Sequence, residues 1–257
     1  VGVDPDKSTV FLQSAIKEHA ELHLLLSMIT PVAWLERNPT YKEQIEEMKE
    51  KDLNTYGFLG YPVLQTADII IYKANAVPVG IDQASHLELS REITRRFNFL
   101  YGNVFPEPQT LLTETPKLLG TDGRKMSKSY NNAIFLSDSP DAIEKKILPM
   151  MTDPARQRRT DKGNPEICPV FFLHKIYSSA DIIQKVDEGC RTAGIGCIEF
   201  KKFVIPKIIE ELKPIQEKRK EIEKRPELIK DVLNKGTEKA KKIAQETMED
   251  VRKVLNL

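Results

Sequence analysis

Two lysines and two serines fall within the short run Lys125-Met126-Ser127-Lys128-Ser129, directly after the glycine turn Thr121-Asp122-Gly123-Arg124. Ammonium groups are compact point charges suited to phosphate, and hydroxyls can donate to its oxygens, so the segment reads as a mobile basic loop for a polyanion. An ordinary solvated loop is the competing reading. A second candidate, Asp68, closes the run Tyr61-Pro62-Val63-Leu64-Gln65-Thr66-Ala67-Asp68. A carboxylate set among apolar residues is costly to leave unpaired once buried, so it marks a possible polar contact. A plain surface carboxylate is the alternative. Downstream, Val77-Pro78-Val79-Gly80-Ile81-Asp82-Gln83 combines apolar walls with a glycine that permits close backbone approach and an acid that can accept from a hydroxyl.

The remaining chemistry-bearing types are weaker. His19 and His23 lie one helical turn apart, with no third ligand of suitable type nearby, and read as surface or helix-packing residues. No metal site is expected. Cys168, Cys190 and Cys197 are an odd set that makes no disulfide framework and reads as reduced thiols. No glycine-rich phosphate loop ending in Gly-Lys-Ser/Thr is present.

These residues must be positioned by the elements around them. The apolar run Thr9-Val10-Phe11-Leu12-Gln13 has strand character, and Ser14 can cap a helix from Ala15 whose Leu22, Leu25, Leu26 and Ile29 recur at helical spacing. Residues Glu43 to Lys51 form a charged helix, Val77-Pro78-Val79-Gly80 a buried strand and turn, and Ala84 to Phe99 a further helix. Leu111-Leu112 and Leu118-Leu119 flank a short connection to the lysine loop. From Ser139-Pro140 onward only helical periods remain: Asp141 to Met150, Val170 to Tyr177, Ala180 to Glu188, Ile198 to Lys220, Pro226 to Asn234 and Thr237 to Leu255. The pattern gives an α/β domain over residues 1–137 and an all-α domain over 138–257.

The chain has 257 residues, with 39 Lys+Arg against 38 Asp+Glu and 40% hydrophobic residues. That suits a packed core in one large domain or two ordinary ones, and a net charge of +1 gives no global field toward a polyanion. Nucleic-acid contact must come from local clusters. Arg156, Arg158, Arg159 and Lys162 form one, and Lys213, Lys218, Arg219 and Lys220 another, although the second alternates in sign like a solvated helix face. Phe171, Phe172 and Tyr177 read as core aromatics. No apolar run approaches the roughly 18–20 residues of a membrane span, and no signal-peptide pattern opens the chain. A cytoplasmic protein without membrane or DNA partners is expected.

The string Lys125-Met126-Ser127-Lys128-Ser129, with its flanking Asp-Gly-Arg, is similar to the second signature of class I aminoacyl-tRNA synthetases. The Tyr61–Asp68 and Val77–Gln83 runs resemble the tryptophan and tyrosine branch of that class. His86-Leu87-Glu88-Leu89-Ser90-Arg91-Glu92, Arg95-Arg96-Phe97-Asn98, Gly2-Val3-Asp4-Pro5 and Leu35-Glu36-Arg37 look tryptophanyl rather than tyrosyl. The resemblance implies a Rossmann-like parallel-sheet domain followed by a helical anticodon-binding domain. It implies ATP-dependent activation of L-tryptophan and transfer to tRNA(Trp), in a homodimer, with ATP and Mg2+ consumed or carried at the site. The alternatives are a tyrosine–tRNA ligase of the same branch and a non-catalytic RNA-binding paralogue.

Carried residue by residue, the resemblance makes Lys125 and Lys128 the groups that stabilise the departing pyrophosphate. It assigns Gly80, Ile81, Asp82, Leu118, Lys125, Met126, Ser127, Lys128 and Ser129 to ATP, and Asp68, Gln65, Val77, Val79 and Gln83 to tryptophan, with Asp68 accepting from the indole N–H. The apolar helix from Ala15 to Met28 and the segment near Trp34 are candidates for the dimer interface. The class's first signature, a His-x-Gly-His-like turn, is absent, so the expectation is a chain entered part-way through its sheet domain, lacking its N-terminal part and inactive in adenylation by itself. Some relatives hold an iron–sulfur cluster on four cysteines. Here Ile198, Glu199 and Phe200 follow Cys197, so a cluster on Cys168, Cys190 and Cys197 would need a substitute ligand, and ordinary thiols are favoured.

Overall fold

The computed structural model describes residues 2–47, 53–112 and 118–257, and the chain divides into two compact units. One comprises residues 3–115 together with 227–257; the other comprises 116–226 with the first two residues.

In the first unit, helices α1 (Glu18–Ser27), α2 (Val32–Glu36), α3 (Pro39–Glu47) and α4 (Tyr56–Ile70) precede strand β1 (Ala76–Val79). Helix α5 (Ala84–Tyr101) then carries the chain over to strand β2 (Gln109–Leu112). The strands pair in parallel, Ala76 opposite Gln109 through Val79 opposite Leu112, as a helical crossover allows. Thr55 caps α4 by accepting from the Phe58 amide at 3.2 Å. α5 buries His86, Leu87, Ser90, Ile93, Thr94 and Phe97 on one face and ends at Gly102, whose φ of 120° suits a residue without a side chain. The Asn98 side chain binds the Val104 and Phe105 backbone at 2.7–3.1 Å, turning the chain back toward β2.

The last helix, α10 (Pro226–Leu255), belongs to this unit over nearly its whole length. Ala240, Ala244, Met248 and Val251 recur at helical spacing and join the core of Leu22, Leu26, Val63, Ala67, Ile70, Ile93 and Phe97. Arg252 forks onto both Glu21 oxygens at 2.8 and 2.6 Å, and Lys73 reaches Asp250 at 2.7 Å.

The second unit carries helices α6 (Pro140–Ile147), α7 (Pro169–Tyr177), α8 (Ala180–Arg191) and α9 (Cys197–Glu223) around Ile143, Ile147, Phe171, Leu173, Val186, Phe200, Val204 and Ile208. Ser139 accepts from the Ala142 amide at 3.2 Å and Pro140 opens α6, a favourable helix start. Lys201 is buried yet satisfied, donating to the Leu148 and Met150 carbonyls at 2.6 Å each.

Four expectations change. Thr9–Gln13 forms no strand: the Leu12 amide donates to the Thr237 hydroxyl at 3.3 Å and the Val10 backbone lies against Gly236, so α10 occupies the place of a ladder partner. Ser14 sits in a 3-10 turn (Gln13–Ala15), and α1 starts at Glu18 without a side-chain cap. Gly236 does not divide the last helix, because its missing Cβ makes room for the Val10 carbonyl. The compact units also part at 115/116 and 226/227 rather than at residue 137, since α10 returns to the first core. The helix expected over Glu43–Lys51 lies partly outside the described residues, as does the connection before Leu118.

Met248 is fully buried. Met248→Ala should therefore destabilise the first unit by about 2–5 kcal/mol in denaturant unfolding. Ile243→Ala, at a site 39% exposed on the same helix, should cost well under half of that.

Candidate functional site

Asp68 lies on the last turn of α4, with its side chain 35% exposed. His19, on α1, places Nδ1 2.6 Å from Asp68 Oδ1 and Nε2 2.7 Å from the Tyr72 hydroxyl. The Gln13 amide donates to both carboxylate oxygens at 2.7 Å. Burial first, then the negative charges of Asp68 and Glu18, push the Tyr72 hydroxyl up to about 12, so it remains protonated. Phe11 stacks on His19 and meets Tyr72 edge-on, with ring centroids 6.2 and 5.4 Å away. The acid thus faces outward from a bed of aromatic rings and hydrogen-bond donors.

One turn before Asp68, Gln65 reaches Gln83 at 3.5 Å, and Gln83 donates to Asp82 Oδ2 at 3.2 Å. Gln65, Gln83 and Asp82 therefore form one polar chain from α4 to the 3-10 turn Ile81–Gln83. A Cβ at Gly80 would stand 2.7 Å from Asp82 Oδ1, so the glycine lets the acid lie close against the backbone. Ile81 is 59% exposed. Val77 and Val79 share the half-buried face of β1, and Pro78 is exposed on the other. Behind them Tyr61 approaches His86 Nε2 at 2.8 Å. Burial lowers the His86 pKa, against the pull of Asp82, and so favours the neutral ring beside the Tyr61 hydroxyl.

In the second unit, the lysine loop grows from a tight hairpin. The Met126 amide donates to the Leu118 carbonyl at 2.8 Å, the Gly120 amide to Arg124 at 2.7 Å, and Gly123 turns with φ of 81°. Leu118 and Met126 together line a small apolar cavity with Leu173, Tyr177, Ile208 and Leu212, which anchors the loop base. Buried Asn132 is the hub: it accepts from the Ser127 amide at 2.8 Å and donates to Asp122 at 2.7 Å and to the Lys125 carbonyl at 3.1 Å. Lys125 and Lys128 are exposed, Ser127 is half-buried, and Ser129 lies in the 3-10 turn Lys128–Tyr130. The Asn132 amide, then the Arg124 side chain and backbone, hold the Asp122 carboxyl at about 2.

The remaining candidates separate. Arg156 is buried and spends its Nη2 on the Ile195 and Arg159 carbonyls at 2.5 and 3.2 Å, so it braces the fold rather than serving as a free cation. Arg158, Arg159 and Lys202, with Arg156 and Glu199, line a cavity of about 530 Å³ at the start of α9. Arg219 and Lys218 pair with Glu223 and Glu221 on their own helix at 2.7 and 3.3 Å, as a solvated face does. Phe171 is core. Cys168, Cys190 and Cys197 converge with Asp153 and Arg156 on a cavity of about 10 Å³, room for roughly one water and not for a cluster. Burial raises the Cys168 and Cys190 thiols, and among the described residues no group of three His, Cys, Asp or Glu could hold a metal ion. The iron–sulfur possibility is therefore unsupported. Sequence reasoning missed Gln13, His19, Tyr72 and Asn132; the spacing of His19 placed it on a helix, but nothing local indicated its partner.

The family model of class I tRNA synthetases (W and Y) matches residues 1–253. The chain belongs to the class I tRNA synthetases for tryptophan and tyrosine. Its α/β crossover and helical unit are the Rossmann-like and helical parts of that family's fold. Within the family, it is 56% identical to the tryptophan–tRNA ligase of Thermotoga maritima over 257 residues, covering all of this chain and 78% of that one. The tryptophan–tRNA ligase of Aquifex aeolicus is 45% identical, covering 100% of this chain and 83% of the relative. Among solved structures, the tryptophanyl-tRNA synthetase of Campylobacter jejuni complexed with ADP and tryptophan superposes with a TM-score of 0.81 at 34% identity, covering 100% of this chain and 79% of that one. No helix among the described residues is long and apolar enough to cross a membrane.

The Asp122 carboxylate should follow its depressed pKa of about 2. Its contribution to loop order is complete above the ordinary carboxylate range near pH 4 and is lost as pH falls through about 2. Asn132→Ala removes the largest cause, so the Asp122 carboxyl should titrate measurably higher by carbon-detected NMR.

Proposed function

We propose that the chain carries the greater part of a tryptophan–tRNA ligase. In the first step, a carboxylate oxygen of tryptophan attacks the α-phosphorus of ATP, and the bond to the pyrophosphate oxygen breaks. In the second, a ribose hydroxyl of tRNA(Trp) attacks the adenylate carbonyl and AMP leaves.

The observation that carries this reading is the state of Asp68: an acid held by Gln13 and His19 with about a third of its side chain open. Such an acceptor suits an indole N–H, and its neighbour chain Gln65–Gln83–Asp82 suits the polar end of an amino acid and a ribose hydroxyl. Val77 and Val79 supply apolar area for the ring, and Gly80 with Ile81 the close approach to the nucleotide. The ligases of Thermotoga maritima and Aquifex aeolicus support tryptophan as substrate.

Lys125 and Lys128 meet charge that grows on the departing pyrophosphate, so they lower the barrier rather than merely bind ATP. Met126 and Leu118 fix the loop base, and Ser127 and Ser129 offer further polar contacts to the nucleotide. Mg2+ arrives on the ATP phosphates, which is its usual mode of binding, and shields their charge. Arg158, Arg159 and Lys202 give the helical unit a cationic cavity for tRNA phosphate. Exposed Leu24, Met28 and Val32, on and beside α1 and α2, are the apolar surface assigned to a second copy in a homodimer. A cytoplasmic location follows from this role in protein synthesis.

ATP–pyrophosphate exchange in the full-length protein tests the reading: exchange should require tryptophan and not tyrosine. Lys125→Ala and Lys128→Ala should each reduce kcat by about 10²–10³, with tryptophan affinity unchanged. Exchange driven by tyrosine, or lysine variants with wild-type turnover, would sink it.

A further inference from the structure

We infer that His19 is a positioning residue for indole recognition: it holds Asp68 in the one orientation that leaves an acceptor lone pair for the ring N–H. The inference rests on the tryptophan reading of Asp68.

A carboxylate cannot donate, so His19 Nδ1, 2.6 Å from Asp68 Oδ1, carries a proton. In the neutral ring Nε2 is then the acceptor, and the Tyr72 hydroxyl at 2.7 Å supplies the donor. Tyr72 keeps that proton because burial and the nearby charges of Asp68 and Glu18 disfavour its ionisation. The tautomer is thereby fixed from behind, by a tyrosine in the turn that follows α4. His19 is itself only 4% exposed and packs against Phe11 and Tyr72, so the ring has no freedom to turn its proton elsewhere.

Counting acceptor positions decides what remains. A carboxylate offers about four lone-pair sites. His19 and Gln13 take two on the Oδ1 side and Gln13 a third on Oδ2, which leaves one on Oδ2. Gln13 lies in a short 3-10 turn and is exposed. A primary amide on such a turn can rotate; the buried imidazole cannot. The carboxylate plane, and with it the direction of the unused lone pair, is therefore set by His19. Without it, Asp68 could turn both oxygens toward Gln13 and solvent, and a ring lacking N–H would meet no unpaired acceptor. His19 then governs discrimination between rings more than the strength of binding to either.

The measurement is a ratio: the affinity of the full-length protein for tryptophan over its affinity for the sulfur isostere, in which a ring sulfur replaces N–H. Asp68→Asn sets the reference and should collapse the ratio. His19→Ala should narrow it about tenfold or more. His19→Asn, whose side-chain amide overlays Nδ1 and keeps a donor toward Asp68, should restore most of it, and Tyr72→Phe should narrow it to an intermediate value. Thermal melts of the Asn and Phe variants keep the test readable should His19→Ala fail to fold. If His19 variants weaken both ligands equally, or leave the ratio intact while Asp68→Asn collapses it, His19 is a core residue only and the inference falls. If Asp68→Asn also leaves the ratio intact, the indole assignment of Asp68 falls first and takes the inference with it.

Discussion

In the first unit a carboxylate is held in one orientation and only partly covered beside an apolar core. A fully buried acid would protonate or demand a permanent partner; a fully exposed one would be satisfied by water and read nothing. Asp68 avoids both by sitting at the end of α4, where Ala67 and Ile70 on one side join the core and the carboxylate leans toward Gln13 and His19 on the other. α4 must therefore be held in place. Thr55 starts it, Thr66 bonds back to the Pro62 carbonyl and across to Ser90 of α5, and α10 packs its small-residue stripe into the same core. Stability and the acid's placement are here one arrangement, because the face opposite the acid carries the burial.

The lysine loop follows a different rule. Its cations stand exposed while everything beneath them is pinned, Leu118 and Met126 by apolar contact and the backbone by Asn132. Charges proposed to favour a transition state over a ground state gain from a firm base beneath them. Gly120 shows how tight the base is, for a Cβ there would fall on the Asn132 side chain.

Much of this was legible in the chain of residues. The acid, the lysine pair, the Val77 and Val79 face and the helical second half all declare themselves through local pattern, and α5, α7 and α8 form close to where periodicity places them. What escaped was non-local. Thr9–Gln13 has strand composition, but a strand needs a ladder, and α10 took that place from more than two hundred residues away. Gly236 looks like a break until its neighbour Val10 is known. His19 looks like any helix histidine until Asp68 is brought to it across 49 positions of sequence. Arg156 was counted as a surface cation because burial by the Ile195 carbonyl cannot be read from charge spacing.

The division into units has a chemical consequence. The residues proposed for the ring and the lysines proposed for phosphate lie in separate compact units, between which the chain passes after residues 2, 115 and 226. On the proposed roles, losses of ring discrimination and of phosphate chemistry should be separable in kinetics: the first in the affinity for amino acid, the second in turnover. The placement of α10 sharpens the point. The last helix in sequence continues directly from the helical unit, yet its buried face belongs to the core that carries Asp68, so damage to that helix acts on this core first.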